Sequence, residues 1–170
     1  MNTLNDILSK EIEEFREKGH KFLNKEMTVG EFKKASGGMG VYAHRGGKEF
    51  MVRLRVPSGV AGLSLLEEAY NWAKKYNLEK IHLTTREAIQ LHGISIDAVC
   101  DIMQEGLTKG IYTRGGGGNF PRNVALNPLS GVQIGETFDV TPYALASNAH
   151  YMSKIYTYNL PRKKTTALSN

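Results

Sequence analysis

Residues 49–56 read EFMVRLRV. Apolar Phe50, Val52, Leu54 and Val56 alternate with Met51, Arg53 and Arg55. That period of two puts the apolar set on one side of a strand and the arginines on the other. Pro57-Ser58-Gly59 ends the run with residues that favour turns. Downstream, Ser64 and Glu67 have the S-x-x-E spacing of a capping box, which predicts a helix to about Tyr76 with Leu66, Ala69, Tyr70 and Ala73 inward. A second strand is expected over residues 80–85 with Ile81 and Leu83 on its apolar side. After a turn near Arg86-Glu87, Ile89 and Leu91 mark a third strand. Ile96, Val99, Cys100, Met103 and Leu107 recur at helical spacing, predicting a helix over 96–107 with Cys100 in its buried stripe. A short strand at Ile111-Tyr112 closes the unit. The order β-α-β-β-α-β is that of an α+β, ferredoxin-like half-domain, an antiparallel sheet with two helices on one face. The other face is expected to stay open.

Strand parity says what furnishes that face. His82, Thr84, Gln90 and His92 share the side of Arg53 and Arg55, and Arg86 sits at the hairpin corner. Glu49 and Glu87 are the carboxylates near this cluster. Arginines in a row suit a polycarboxylate or phosphate, because each planar fork binds an oxyanion bidentately. An RNA-recognition module has the same element order but needs aromatic side chains on the middle strands for bases to stack on. Met51, Arg53, Arg55, Thr84, Gln90 and His92 offer none, which argues against RNA.

The flanking segments are read in the same way. Residues 4–23 are amphipathic, with Leu4, Ile7, Leu8, Ile12 and Phe15 on one stripe of a helix. Residues 24–38 read as a polar connection ending in a flexible Ser36-Gly37-Gly38. Three regions follow: an N-terminal helical extension at 1–38, the half-domain at 39–113, and the beginning of a second α+β domain at 114–170. Near the second boundary lies TRGGGGNFPRNV, residues 113–124. It lacks the lysine of a phosphate-binding loop and the third glycine of a dinucleotide loop. The four glycines are therefore a slack linker or a backbone that must pass close to something bulky. Over 141–156, Thr141 is placed as a cap, Pro142 in the first turn, and Ala144, Leu145, Asn148, Ala149 and Met152 along one side of a helix.

Composition bounds the partners. The 170 residues are 41% hydrophobic and 23% charged, with a net charge of +5, which suits a folded protein with an anionic ligand. One cysteine, Cys100, excludes a disulfide framework, a structural zinc site and a cysteine-ligated iron–sulfur cluster built from this chain alone. No apolar run of about 18 residues is present, and the acidic amphipathic N-terminus is unlike a signal or transit peptide. A cytoplasmic location without membrane contact is expected.

Four stretches, MVRLRVPSGV, IHLTTREAIQLHGI, PRNVALNPLSGV with FDVTPYA, and NLPRKKT, resemble in order and spacing the nitrite and sulfite reductases that couple sirohaem to a 4Fe–4S cluster. The resemblance covers about residues 40–166. It implies that Arg53, Arg86 and Arg122 face sirohaem carboxylates and the bound anion, with Gln90, His92 and Asn123 also on the cofactor. Lys163, with Lys164 as a candidate second cation, would stand at the substrate oxyanion. It further implies reduction of sulfite to sulfide or nitrite to ammonia, with electrons from a ferredoxin or a reductase subunit. The cluster cysteines of that family are expected outside this chain, so these residues alone would be inactive and prone to self-association. A non-catalytic relative that binds a tetrapyrrole or another polyanion on the same face is the alternative.

Overall fold

The computed structural model describes residues 4–118, 120 and 123–158, with the side chains of Leu4 and of residues 152–158 outside the description. Four antiparallel strands form one sheet: β1 (Val41–Ala43), β2 (Phe50–Arg55), β3 (Ile81–Leu83) and β4 (Ala88–Ile94), ordered β1-β2-β4-β3. Among the described residues five α-helices accompany it: α1 (Leu4–Leu23), α2 (Val29–Gly37), α3 (Leu63–Lys75), α4 (Ile96–Thr108) and α5 (Thr141–Tyr158). The alternation of β2 is realised as read. Phe50, Val52 and Leu54 are fully buried, and Leu91 of β4 lies beside them. Ile96, Val99 and Cys100 bring α4 into the same core. Each such aliphatic side chain contributes about 1.5–3 kcal/mol when fully buried.

The segment 24–38 is not a polar connection. Thr28 caps α2: its hydroxyl accepts from the Glu31 backbone N–H while the Glu31 carboxylate accepts from the Thr28 backbone N–H. The spacing T-x-x-E carries this reciprocal cap. Phe32 then buries its ring between Phe22 of α1 (centroids 4.3 Å apart) and Phe50 of β2 (5.6 Å). Ser36 and Gly37, expected to be flexible, are buried at the end of this helix.

Helix α3 also differs from the expectation. Its cap is Gly62, with no side-chain hydrogen bond, so the Ser64–Glu67 box does not form. Leu66 and Tyr70 are exposed, and the helix is anchored by Ala69, Trp72 and Ala73. Trp72 is the side chain that fixes it: its Nε1 donates to Glu105 Oε2 of α4 at 2.7 Å. On α5, Ala144 and Asn148 face inward as expected but Ala149 is exposed, and the Thr141 N–H donates to the Asp139 carboxylate rather than Thr141 providing the cap.

Helix α1 lies across α4, where Gly19 meets the side chain of Ile96 so closely that a Cβ would overlap it. Arg16 ties the same joint, with its guanidinium on Asp97 and Asp101. At the sheet's other end β3 is an edge strand, and Ile81 and Leu83, expected on a covered apolar side, are exposed. The expected strand at Ile111-Tyr112 is reduced to one ladder bond, from the Arg55 N–H to the Tyr112 carbonyl at 2.8 Å. Gly40 and Tyr112 thus line the same edge of β2, since the Arg53 N–H donates to Gly40. Among the described residues no helix is long and apolar enough to cross a membrane.

Candidate functional site

The site lies on the face of the sheet away from α3 and α4. Register places Arg53 opposite Gln90, Met51 opposite His92, and His82 opposite Gln90. Directly opposed residues of antiparallel strands meet side by side on one face, so β2, β3 and β4 bring together the arginines, amide and imidazoles that parity had grouped. The face is not open, however. Arg55 is only 8% exposed and Gln90 6%, and Met51 is buried beside them.

What covers it is the glycine run. Arg53 Nη1 donates to the Gly116 carbonyl at 2.6 Å, and Arg55 Nη1 to the Arg114 carbonyl at 3.4 Å. The Gly115 N–H donates to the Gly38 carbonyl at 2.8 Å. A Cβ on Gly117 would collide with the Tyr42 hydroxyl and lie 2.7 Å from the Gly37 carbonyl, and one on Gly118 would be 2.9 Å from the Gly38 nitrogen. Gly115–Gly118 are therefore a packed segment, not a slack linker. The close approach that requires glycine is to the end of α2 and to Tyr42. Tyr42 also holds the run through its hydroxyl, which accepts from the Gly118 N–H at 3.1 Å, and its ring lies 5.7 Å below the Arg53 guanidinium.

Gln90 occupies the centre. Its amide oxygen accepts from Arg53 Nε at 3.0 Å and Nη2 at 2.6 Å, and its nitrogen lies 3.1 Å from His82 Nδ1 and 3.2 Å from His92 Nε2. His44 stands behind, its Nε2 3.2 Å from His92 Nδ1. Burial, followed by the charges of His44, His82, Lys80 and Arg53, holds His92 below the usual imidazole range. Among the described residues no three His, Cys, Asp or Glu side chains are placed to hold a metal ion. Cys100 is buried in the core on α4, and burial pushes its thiol up to about 12, so it is inert at neutral pH.

The hairpin corner is built around Asn123. Its oxygen accepts from the Ser58 N–H at 2.9 Å and from Asn148 Nδ2 of α5 at 2.5 Å. Its nitrogen donates to the Val56 carbonyl at 3.0 Å and to Glu87 Oε2 at 3.2 Å. Both turns that it clamps contain a left-handed residue, Ser58 with φ 53° and Glu87 with φ 55°, conformations that cost free energy for non-glycine residues and persist where surrounding contacts fix them. Arg86 projects from this corner, exposed. A small pocket follows, lined among others by Arg53, Arg55, Arg86, Gly116 and Asn123.

Of the residues singled out from the sequence, Arg53, Arg86, Gln90, His92 and Asn123 thus lie on one face, with Arg53, Gln90 and His92 in direct contact. Arg122, Lys163 and Lys164 lie outside the described residues. Tyr42 was missed, and Ser58, Glu87 and Asn148 were placed on their elements without the contacts that they make here. Tyr42 and His44 do alternate with Val41 and Ala43, but β1 has three residues, too few for periodicity to register.

A family model, the nitrite/sulfite reductase ferredoxin-like half domain, matches residues 42–107. The chain is 29% identical over 125 residues to the ferredoxin–nitrite reductase of Synechococcus elongatus, covering 70% of this chain and 24% of that protein. It is 28% identical over 122 residues to a ferredoxin sulfite reductase of Mycobacterium tuberculosis, covering 72% of this chain and 22% of that one. It thus spans about a quarter of the length of these curated relatives. The fold matches that of the solved Mycobacterium tuberculosis NirA protein with a TM-score of 0.62 and 19% identity, over 85% of this chain and 31% of that one. The strand register and these matches lead to one assignment: residues 42–107 are a ferredoxin-like half domain of the nitrite and sulfite reductase type.

Proposed function

We propose that this chain supplies part of the cationic wall of a cytoplasmic reductase that converts nitrite to ammonia or sulfite to sulfide, with a ferredoxin or a reductase subunit as electron donor. The observation that carries the reading is the pocket where Arg53, Arg55 and Arg86 converge within the half domain. The donor set fits sirohaem in chemical type, since guanidiniums are the matched partners of a polycarboxylate. When bound, sirohaem coupled to a 4Fe–4S cluster supplies the iron site and the electrons for the reduction. Buried Cys100 does not fit a cluster ligand, so the cluster cysteines come from outside these 170 residues.

In this reading Arg53 and Arg86 bind carboxylates of the cofactor and the substrate anion, and their N–H groups stabilise charge as oxygen leaves as water. Gln90 holds Arg53 in place. Asn123 acts through the turn that carries Arg86, and His92 through Gln90. Arg122, Lys163 and Lys164 complete the cationic set by resemblance. Residues 1–38, 39–113 and 114–170 are proposed as helical extension, half domain and start of the cofactor domain.

The test is turnover of the protein that carries this chain, with Arg53→Ala and Arg86→Ala. Removing an anion-stabilising donor lowers kcat by about 10²-fold, with the circular-dichroism spectrum retained. Unchanged turnover of both nitrite and sulfite in both variants would sink the reading. Cofactor binding without turnover by the unmutated protein would instead favour a non-catalytic tetrapyrrole-binding relative.

A further inference from the structure

The contacts of Gln90 fix more than its own orientation. Arg53 has only N–H groups to offer, so the Gln90 oxygen must face it and the amide NH2 must face His82 Nδ1 and His92 Nε2. An NH2 group only donates, so neither of those ring nitrogens carries a proton. Neutral His92 then has its proton on Nδ1, directed at His44 Nε2. His44 must accept there and keep its own proton on Nδ1, the nitrogen 3.9 Å from the Glu49 carboxylate. The tautomers of three histidines follow from one guanidinium.

This order has no room for another proton. Added to His92, a proton lands on Nε2 and faces the Gln90 NH2. Added to His44 Nε2, it opposes the His92 Nδ1–H, and moving the His92 proton to its other nitrogen brings the same conflict with Gln90. Added to His82 Nδ1, it meets the NH2 directly. Each route is relieved when the Gln90 amide turns over and offers its oxygen to the imidazole. The NH2 then faces Arg53 Nε and Nη2, which lose the Gln90 oxygen, while Nη1 keeps the Gly116 carbonyl.

We propose that Gln90, with His92 and His44, forms a proton-operated latch on one edge of Arg53: neutral imidazoles hold Nε and Nη2 on the Gln90 oxygen, and protonation of the imidazole pair withdraws that oxygen while Nη1 stays on Gly116. The proposal stands apart from the reductase reading, because it concerns the state of Arg53 whatever ligand the face receives. The groups facing His92 are His44 just after β1, Arg53 from β2, His82 from β3 and Lys80 just before it. Glu49 and Glu79 line the cleft on the His44 side. Burial first and the neighbouring charges second oppose protonation of His92, which keeps the latch closed at neutral pH. His44 is the outermost imidazole and acts as a positioning residue through His92.

Nitrogen NMR of the labelled full chain tests this. At mildly alkaline pH, long-range couplings should show His44 and His92 both protonated on Nδ1 and His82 on Nε2. As pH falls, the Arg53 Nε resonance should move with the midpoint of His92. In Gln90→Glu a carboxylate accepts from Arg53 and from protonated His92 together, so the His92 midpoint should rise and the Arg53 response should vanish. His92 found protonated on Nε2 at alkaline pH would overturn the proposal in the unmutated chain alone. So would an Arg53 resonance that stays flat while His92 titrates, or an unchanged Arg53 response in Gln90→Glu.

Discussion

The two faces of this sheet are closed by opposite means, and the polar one is buried only around Arg55 and Gln90. On one, Phe50, Val52, Leu54 and Leu91 pack against helices and ask of their neighbours only shape. On the other, Arg55 and Gln90 are nearly as inaccessible, but every N–H there has to meet an acceptor, supplied by Gly116, Arg114 and the Gln90 oxygen. The first face tolerates any apolar set of the right volume. The second works only as a connected network, since a buried polar group left unpaired costs about 1–3 kcal/mol.

Breaking the apolar face should give the largest effect. Leu54→Ala removes a fully buried side chain and should lower stability by about 2–5 kcal/mol, read from the shift of the urea midpoint at constant slope. A loss below about 1 kcal/mol would mean that this face is less tightly packed than described.

The cover of the polar face gives the next effect. Gly117→Ala drives a Cβ into the Tyr42 hydroxyl and the Gly37 carbonyl, and overpacking of this kind costs about 1–3 kcal/mol. Gly30→Ala is the control. It lies in α2 with open space at the Cβ position, and alanine there should stabilise by up to about 1 kcal/mol. Equal effects of the two substitutions would mean that the glycine run is loose after all.

The smallest effect separates the faces by pH. His92 is held below the ordinary imidazole value of about 6.5 by burial first and neighbouring cations second. Between its folded value and that ordinary value the unfolded chain binds the extra proton, so stability rises with pH in this window. The contribution is fully present above about 6.5 and is lost as pH falls through it towards the folded value. Urea titrations across mildly acidic pH should show this slope in the unmutated chain and a shallower one in His92→Gln. A slope untouched by the substitution would assign it to other groups.

The contrast also explains how much the sequence disclosed. The alternation in β2 and the i, i+3, i+4 stripe of α4 are properties of contiguous residues, and both were legible. Arg53, Gln90 and His92 were grouped correctly because parity against the apolar positions of each strand assigns all three to the same face. Parity distinguishes two faces without saying which is wet. The cover over Arg53 comes from Gly116, far along the chain, and the clamp on Arg86 from Asn123 and Asn148. Helix α2 was missed because Gly30, Ser36 and Gly37 dilute its pattern, although Thr28 and Glu31 announce it. The exposure of Ile81 and Leu83 was not legible either, because an edge strand has the same alternation as a central one.

One last consequence concerns the order in which the chain is made. The outer edge of β2 is shared: Gly40–Ala43 serve its first part, and Tyr112 serves Arg55. The early segment emerges from the ribosome before β2 and can pair with it at once, since chains are made from the N-terminus at about 5–20 residues per second. The Arg55 amide and the cover above it must wait for residues 112–118. For those seconds of synthesis the nascent sheet exposes its two arginines, and the glycines that close the face arrive after all of its strands.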